Sequence, residues 1–392
     1  MPRLLIVSYA YPPLGGIAII RALTLARKAM DEGWEVAFLA VANDPLYLRD
    51  ESLSTKAPAV YAYRYPIYLI TNRFLRRLLP GKRLLWSFLD SFYDWVPDAV
   101  HVGKKLYKKW PYDVIFASAP RFSSLRVARK LKESLNVPAV ADLRDSFIYN
   151  FAIDYIHPWI RRFWHIYYHN LLSKFDKITA VDYNAIRGIN LPHEIIYNGF
   201  DEEEFSGDIQ KFETFTIGHI GTIYPQYRIE SLIKGILKIP LELRNRMRVL
   251  FVGDNTDVIR KMKNKMNLDF IEVRSRVPRD EAIEIMRRCH VLLVLSGAVT
   301  DALGAKIFEC ARTGATVLNF AKPGSIPWKF AEETGLAHNV AFDRPREIAK
   351  AIVHASKRES FDPPKNIQQY SRDAASEQLL DILSDLVKSS RH

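Results

Sequence analysis

The residues best suited to chemistry lie in the C-terminal half, in the segment TDALGAKIFE at positions 300–309. The segment follows the apolar run VLLVLS, which predicts a buried strand, and it opens a predicted helix that ends near Gly314. The order strand, loop and helix favours anion binding, because the first amide groups of a helix lack partners within it. The turn into the helix contains Leu303, Gly304 and Ala305, and the last two are small enough for a phosphate group to approach the backbone.

A cation and a carboxylate follow in that helix. Lys306 lies in the first turn, where a positive charge opposes the helix dipole, so a bound diphosphate would remove an electrostatic conflict. Glu309 comes one turn later in an otherwise apolar helix, and its carboxylate can accept two hydrogen bonds from the vicinal hydroxyls of a ribose. The alternative is an ordinary amphipathic helix in which Lys306 and Glu309 form a salt bridge.

Two further loops contain glycine. Gly15 and Gly16 follow the first predicted strand, and adjacent glycines let the backbone approach a ligand, although any strand–helix turn can use them. Gly221 and Thr222 follow a later strand, and Arg228 comes six residues further on. The Arg228 guanidinium can bind a phosphate through two hydrogen bonds; otherwise it is a surface arginine. No Gly-x-Gly-x-x-Gly occurs, so the nicotinamide and flavin fingerprint is missing.

Charged residues also occupy the segment ADLRD at 141–145. Asp142, Arg144 and Asp145 are candidate acceptor-site groups, and Asp145 could orient an acceptor hydroxyl. Equally, Asp142 and Arg144 can form a structural ion pair. His219 lies within a predicted strand, where a histidine is more often a satisfied core residue than a catalyst.

The elements that must position these residues alternate along the chain. Short β-branched runs alternate with longer segments of helical period, as in parallel sheets built from strand–helix–strand units. The predicted strands are 4–8, 35–41, 113–117, 139–143, 177–181, 194–197, 216–220, 248–252, 270–273, 291–295, 315–320 and 338–342. A polar, aperiodic segment at 201–213 predicts a linker between the two halves.

The resulting prediction is an α/β protein with two Rossmann-like parallel-sheet domains, for which 392 residues are a suitable length. The predicted domains are residues 1–200 and 201–370, and a helix in 371–392 can cross back to the N-terminal domain. Ligands bind beyond the carboxyl ends of parallel strands. Two sheets that face a central cleft would therefore bring two ligands together.

The composition is that of a soluble globular protein, with 48% hydrophobic and 26% charged residues. The formal charge of +12 suits anionic partners. Cys289 and Cys310 are the two cysteines, and the first apolar run is too short for a secretory leader. With no apolar stretch near the ~20 residues that span a bilayer, these features predict a cytoplasmic protein that is soluble or peripheral at the inner face of a membrane.

Residues 71–110 combine basic and aromatic side chains. Nine lysines or arginines and eight aromatic residues are opposed by three aspartates in this segment. Such a mixture suits an interfacial helix on anionic lipid. The alternative is a helix pair whose aromatic side chains fill the N-terminal core. Nucleic-acid binding is not expected, because the chain has no base-stacking platform or known reading module.

Several segments together resemble one family. They are the opening SYAYPPLGGIAII, the segment ADLRD, the segment IIYNGFD at 195–201, the segment IGHIGTIYPQYRIESLIKGI at 217–236, and an acidic residue separated by seven residues from a glutamate, here Asp301 and Glu309. The order resembles that of retaining GT-B glycosyltransferases of family 4, the glycosyl transferases group 1. The resemblance covers nearly the whole chain.

The resemblance implies roles for individual residues. It implies that Asp301 contacts the donor sugar and Glu309 holds the nucleotide ribose, while Lys306 and Arg228 bind the diphosphate. Gly15, with its neighbour Gly16, would lie against the donor phosphates and the acceptor. In the donor-binding loops, the family usually has arginine where this chain has Thr222. A histidine that many members carry in the N-terminal domain is also missing, since the sequence there is FASAPRFSS.

The expected activity is transfer of a hexosyl or N-acetylhexosaminyl group from a UDP- or GDP-sugar to a glycan or lipid-linked acceptor, in polysaccharide or glycoconjugate synthesis. No cofactor and no metal are expected, because the chain has no Asp-x-Asp, Cys-x-x-Cys or His-Glu-x-x-His motif and no P-loop. Thr222 and the missing histidine keep two alternatives open. One is a non-catalytic protein that binds a nucleotide sugar, and the other is a GT-B epimerase or phosphorylase.

Overall fold

The computed structural model describes residues 1–42, 44, 47, 49–51, 53–64, 93–119, 122–146, 158–224, 227, 229–296 and 301–390. The chain forms two compact units. One comprises Met1–Tyr197 together with Asp373–His392, and the other comprises Asn198–Arg372. Each unit has its own parallel sheet.

The described part of the N-terminal unit contains a seven-stranded sheet in the order β3-β2-β1-β4-β5-β6-β7, with every neighbouring pair parallel. Its strands are β1 (Arg3–Val7), β2 (Glu35–Val41), β3 (Ala59–Ala62), β4 (Val114–Ser118), β5 (Ala139–Leu143), β6 (Lys177–Ala180) and β7 (Glu194–Ile195). Every residue of β4 and β5 is buried. Such continuous burial is what a parallel sheet covered on both faces requires.

Helices connect and cover these strands. They are α1 (Ile17–Asp31), α2 (Val96–Lys109), α3 (Ser123–Leu135) and α4 (Pro158–Leu172). In α3, Leu125, Ala128 and Leu131 are buried at spacings of three residues, which places an apolar stripe against the sheet. The helix ends at Asn136, which adopts the left-handed conformation with φ of 56°.

The described part of the C-terminal unit repeats this architecture in a six-stranded parallel sheet of order β10-β9-β8-β11-β12-β13. Its strands are β8 (Phe215–Ile220), β9 (Met247–Val252), β10 (Ile271–Arg274), β11 (Val291–Leu295), β12 (Thr316–Phe320) and β13 (His338–Val340). Its helices are α5 (Ile229–Ile236), α6 (Leu241–Arg244), α7 (Asp257–Met266), α8 (Arg279–Arg288), α9 (Lys306–Arg312), α10 (Ile326–Thr334) and α11 (Pro345–Ala355). The prediction of two Rossmann-like parallel-sheet domains is confirmed.

The last helix, α12 (Arg372–Ser390), belongs to the N-terminal unit from its second residue onward. Leu379, Leu383 and Val387 are buried in the hydrophobic core of that unit. On the outer side, Asp373 pairs with Arg27 of α1 at 3.1 Å. The chain therefore returns to its first domain before it ends.

The segment predicted to be a linker is instead part of the C-terminal unit, so that prediction is wrong. Residues Glu202–Phe205 form a 3-10 turn whose Phe205 side chain is buried. The Lys211 ammonium donates to the backbone carbonyls of Arg287 and Cys289, both at 2.8 Å. The polar composition of this segment predicted a linker, but its side chains have partners that are far away in the sequence.

The basic and aromatic segment is described only from residue 93 onward; 71–92 lies outside the described residues. In the described part, Trp95 is fully buried. Trp110 packs on Tyr112, and its indole N–H donates to Glu35 at 2.5 Å. Lys105, Lys108 and Lys109 of α2 are exposed. No helix among the described residues is long and apolar enough to cross a membrane.

Candidate functional site

The candidate site of the C-terminal unit lies where strand order reverses, between β8 and β11. At such a point the loops after the two strands diverge to opposite faces of the sheet and leave room for a ligand at the carboxyl edge. Gly221 and Thr222 follow β8 directly, and the segment with Asp301 follows β11. Segments that are 80 residues apart in sequence are thus brought to one edge of the sheet.

The loop after β8 is held by backbone contacts. The Gly221 amide donates to the carbonyl of Val252 at 2.8 Å, and the Ile223 amide donates to the carbonyl of Asp254 at 3.0 Å. Gly253 has a φ of +145°, and a Cβ on it would lie 2.1 Å from the Gly221 carbonyl oxygen. Gly253, which sequence reasoning missed, is therefore needed for the close approach of the two loops.

Glu309 is the central carboxylate of the site. Its side chain is 5% exposed. One oxygen accepts from Arg279 Nη2 at 2.7 Å, and the other pairs with Lys306 Nζ at 2.9 Å. The ion pair between Lys306 and Glu309 that formed the sequence-based alternative is thus present, and Arg279 adds a second cation.

Arg279 links Glu309 to a second carboxylate. Its Nε and Nη2 atoms both donate to Glu204 at 2.6 Å. Two cations and two carboxylates then form one neutral network that joins α8, α9 and the 3-10 turn. Sequence reasoning missed Arg279 and Glu204, because 30 and 105 residues separate them from Glu309 and no local spacing connects them.

Electrostatics keep Glu309 ionised. Burial by itself would raise its pKa, but the charges of Lys306 and Arg279 and the hydrogen bonds from both outweigh it and lower the pKa to about 2. The pKa of this carboxylate is lower in the folded than in the unfolded state. Its ionisation therefore stabilises the fold at pH values above the unfolded-state pKa. That contribution is lost as the pH falls through the folded pKa.

The pH dependence of stability tests this network. The shift from 4.5 to about 2 corresponds to about 3 kcal/mol of stabilisation at pH 7. We expect the difference in unfolding free energy between wild type and Glu309→Gln, from urea titrations, to fall to less than half between pH 7 and pH 3. Carboxylates outside this network titrate alike in both proteins, so their effects cancel in the difference. A difference that stays constant over this range would contradict the low pKa.

The loop before α9 presents exposed backbone. Leu303 is buried and anchors the turn, whereas Gly304 is exposed and a Cβ on it would meet no atom within 4 Å. Ala305 is the residue preceding the helix and is half-buried. Asp301 accepts a hydrogen bond from the Ile326 amide at the start of α10, at 2.9 Å. The Asp301 carboxylate is therefore fixed in place by a neighbouring helix.

His219 lies beneath this site. Its Nδ1–H donates to the Leu293 carbonyl at 2.9 Å. Its Nε2 atom is buried and would lie 3.7 Å from a Cβ on Gly221. Burial, followed by the charge of Lys306, lowers the pKa of His219 to about 4. The imidazole is therefore neutral at physiological pH. Arg228 lies outside the described residues.

In the N-terminal unit, Gly15 and Gly16 form the turn from β1 into α1. Gly15 has a φ of +146°, and a Cβ on it would lie 2.8 Å from Cγ2 of Ile19. Gly16 precedes the first residue of the helix, and its carbonyl accepts from the Ile19 amide at 3.1 Å. The close approach seen here is between the turn and its own helix.

Asp142 is fully buried within β5 and has a different ion-pair partner from the one considered in the sequence. The guanidinium of Arg21 in α1 donates through Nε to both carboxylate oxygens, at 3.1 and 3.2 Å. Thr179 donates to one oxygen at 2.8 Å and Ser118 to the other at 3.3 Å. Because no part of Asp142 is exposed, any effect it has on an acceptor is indirect.

The two charged residues that follow differ from Asp142. Arg144 is half-buried and Asp145 is exposed, and both lie just beyond the carboxyl end of β5. They are therefore the members of the predicted acceptor set whose position permits contact with a ligand. Among the described residues, no group of three or more histidine, cysteine, aspartate or glutamate side chains could hold a metal ion.

No protein-family model matches the chain, and no curated protein matches its sequence. Solved structures do match over nearly the full length. Sucrose-phosphate synthase from Thermosynechococcus elongatus is 14% identical, with 99% of this chain and 100% of that one covered and a TM-score of 0.66. The lipopolysaccharide outer core galactosyltransferase WaaB is 12% identical, with coverages of 98% and 99% and a TM-score of 0.60.

A protein assigned as UDP-N-acetylglucosamine 2-epimerase, from Listeria monocytogenes, is similar to the same extent. It is 11% identical, with coverages of 99% and 97% and a TM-score of 0.59. At such low identities the likeness concerns the fold and not the activity. Two parallel-sheet Rossmann-like units and full-length matches to these structures show that the chain has the GT-B fold.

Proposed function

We propose that this chain is a retaining glycosyltransferase, similar to family 4, that uses a UDP- or GDP-sugar in polysaccharide or glycoconjugate synthesis. The observation that carries the proposal is the pair of Lys306 and Glu309, 2.9 Å apart at the switch point of the C-terminal sheet. A diphosphate needs a fixed cation, and a ribose needs a fixed hydrogen-bond acceptor. Lys306 supplies the cation and Glu309 supplies the acceptor, side by side at this edge of the sheet.

The donor is bound by the C-terminal unit in this proposal. Glu309 accepts from the ribose hydroxyls, since a carboxylate has about four acceptor positions and the protein occupies two of them. Lys306 and the backbone of Gly304 bind the diphosphate, together with Thr222 and Arg228 from the loop after β8. Asp301, fixed by the Ile326 amide, contacts the sugar.

In the transfer step, the bond between the anomeric carbon and the diphosphate oxygen breaks, and a bond from the acceptor oxygen to that carbon forms on the same face. The acceptor proton goes to the departing phosphate. Negative charge that develops on the diphosphate is stabilised by Lys306 and Arg228. No separate protein base is required for this reaction, and no metal or other cofactor is part of the proposal.

The acceptor is proposed to be a glycan or a lipid-linked glycan. Arg144 and Asp145 are the N-terminal groups assigned to it, because they lie beyond the carboxyl end of β5 and reach solvent. The buried ion pair of Arg21 and Asp142 supports β5. A lipid-linked acceptor would place the protein at the cytoplasmic face of a membrane, and the basic segment 71–110 is a candidate contact.

A thermal-shift screen tests the donor assignment first. Wild-type protein is heated with UDP, GDP and their common sugar conjugates, and a ligand that binds the native state raises the melting temperature. We expect one base to give a shift. Incubation of that sugar nucleotide with candidate glycan acceptors is then expected to release the nucleoside diphosphate and give a glycosylated product with retained configuration.

The alternatives give different results. Binding of a sugar nucleotide without turnover on any acceptor would indicate a non-catalytic binding protein, for which Thr222 in place of the usual arginine is the sequence reason. Release of free sugar, a sugar phosphate or an epimer without an acceptor would indicate an epimerase or a phosphorylase. No shift with any nucleotide at millimolar concentration would contradict the donor site itself.

A further inference from the structure

Arg279 joins the candidate ribose carboxylate to the acidic turn near the start of the C-terminal unit. It is the first residue of α8. Its Nη2 atom donates to Glu309 at 2.7 Å, and its Nε and Nη2 atoms donate to the two oxygens of Glu204 at 2.6 Å each. The guanidinium fork is thus fixed on one carboxylate while it holds the other.

Glu204 neutralises and orients this arginine. A cation in the first turn of a helix opposes the helix dipole, and an arginine side chain that is 42% exposed has several rotamers open to it. The two hydrogen bonds to Glu204 remove both disadvantages. The position of Glu204 is itself set by the 3-10 turn Glu202–Phe205, in which the Phe205 side chain is buried. The orientation of the guanidinium is therefore fixed by the fold before any ligand binds.

Lys306 has two tasks in the proposed donor site, and Arg279 separates them. The Lys306 ammonium lies 2.9 Å from Glu309, and it is also the cation assigned to the diphosphate. Phosphate oxygens compete with Glu309 for its N–H donors. When a diphosphate draws Lys306 toward itself, Arg279 remains on the same carboxylate and holds it from a different helix. Glu309 therefore keeps its orientation and its charge while the lysine changes partner.

We propose that Arg279 is a positioning residue for the nucleotide and that Glu204 acts through it. Together they hold the Glu309 carboxylate ready for the ribose hydroxyls while Lys306 binds the diphosphate. The ligand class is a nucleoside diphosphate or its sugar conjugate, so the inference rests on the proposed function and extends it to the turn at 202–205. Neither Arg279 nor Glu204 is required to touch the nucleotide.

Isothermal titration of the full-length protein with UDP, GDP and inorganic pyrophosphate tests the positioning role. The measured quantity is the ratio of nucleoside diphosphate affinity to pyrophosphate affinity, because only the nucleotides have a ribose. Arg279→Met keeps an unbranched side chain but removes its hydrogen bonds. We expect it to lower this ratio about tenfold, the equivalent of one lost hydrogen bond to a charged group. Glu204→Gln should lower the ratio in the same direction but by less.

Glu202→Gln is the matched control. Glu202 belongs to the same turn and accepts from Nε of Arg312 at 2.8 Å, and Arg312 lies on α9, the helix of Glu309. This variant loosens the turn and the helix without removing a partner of Glu309, so the affinity ratio should stay within about twofold of wild type. Thermal unfolding checks that each variant folds. If Arg279→Met does not fold, Arg279→Lys and Glu204→Gln provide the same test.

Two further variants test whether the effect passes through the guanidinium. Arg279→Lys keeps a cation beside Glu309, so it should restore part of the affinity ratio that Arg279→Met loses. In the Arg279→Met background, Glu204→Gln should cause no further loss, because residues that act through one chain of contacts are not additive. A ratio that falls by the same factor in both backgrounds would show that Glu204 does not act through Arg279.

The possible failures are distinguishable. A folded Arg279→Met protein with the wild-type affinity ratio would overturn the positioning role alone, since the nucleotide site would still be present. A ratio that falls as far in Glu202→Gln as in Arg279→Met would assign the effect to packing of the turn and overturn it too. Wild-type protein that binds pyrophosphate but neither UDP nor GDP would overturn the proposed function, and the positioning role with it.

Discussion

Replacing Glu309 with alanine is expected to weaken the binding of nucleoside diphosphates by about 100-fold or more while inorganic pyrophosphate still binds. In the proposed donor site the Glu309 carboxylate accepts two ribose hydrogen bonds, and a hydrogen bond to a charged group contributes ~1.5–3 kcal/mol. Pyrophosphate has no ribose. It meets Lys306, whose charge Glu309 neutralises in the wild type.

Isothermal titration with UDP, GDP and pyrophosphate measures the two effects separately. Lys306→Ala should show the complementary pattern, in which pyrophosphate and nucleoside diphosphates weaken together. Glu284→Ala is the matched control, because Glu284 is also paired with an arginine, at 3.5 Å, but is exposed on α8. A Glu309→Ala protein that binds the nucleoside diphosphate as tightly as wild type would show that the ribose assignment is wrong.

The alternation of strands and helices could be predicted because it is a local property of the sequence. Runs such as Ala139–Leu143 and Val291–Leu295 coincide with observed strands. A continuous apolar run bounded by polar segments predicts a buried parallel strand wherever it occurs. Strand β3 (Ala59–Ala62), a four-residue edge strand with partial burial, was missed.

The site was predictable only where its contacts are local. Lys306 and Glu309 are three residues apart on one helix, so their pairing could be considered from the spacing alone. Arg279 approaches Glu309 only after α8 and α9 pack beside the same sheet. Likewise, the sequence of 201–213 contains nothing that shows that Glu204 will meet Arg279.

The buried ion pair of Arg21 and Asp142 in the N-terminal unit could not be predicted for the same reason, because its partners meet only through tertiary packing. Neighbouring charges in ADLRD suggested an ion pair between Asp142 and Arg144, two residues away. In a strand, residues two apart point to the same face, but the Asp142 carboxylate is directed at α1, where Arg21 lies 121 residues earlier in the chain. Tertiary packing of α1 on the sheet decides which arginine neutralises this carboxylate.

The largest effect on stability is expected for Arg21→Ala. Arg21 and Asp142 are 5% and 0% exposed, and the guanidinium also donates to the Tyr197 carbonyl at 3.2 Å. Removing one partner of a buried ion pair leaves an uncompensated charge, which costs about 3 to 5 kcal/mol. Urea unfolding at pH 7 measures the loss.

Two further variants decide whether the uncompensated carboxylate is the cause of that loss. Arg27→Ala removes an arginine from the same helix, but its pair with Asp373 is exposed, so the cost should be below about 1 kcal/mol. Adding Asp142→Asn to Arg21→Ala removes the buried charge and lets the amide oxygen accept from Thr179 or Ser118. The double variant should therefore recover more than half of the lost stability. If it is no more stable than Arg21→Ala, the arginine acts through packing in the core of the N-terminal unit and not through its charge.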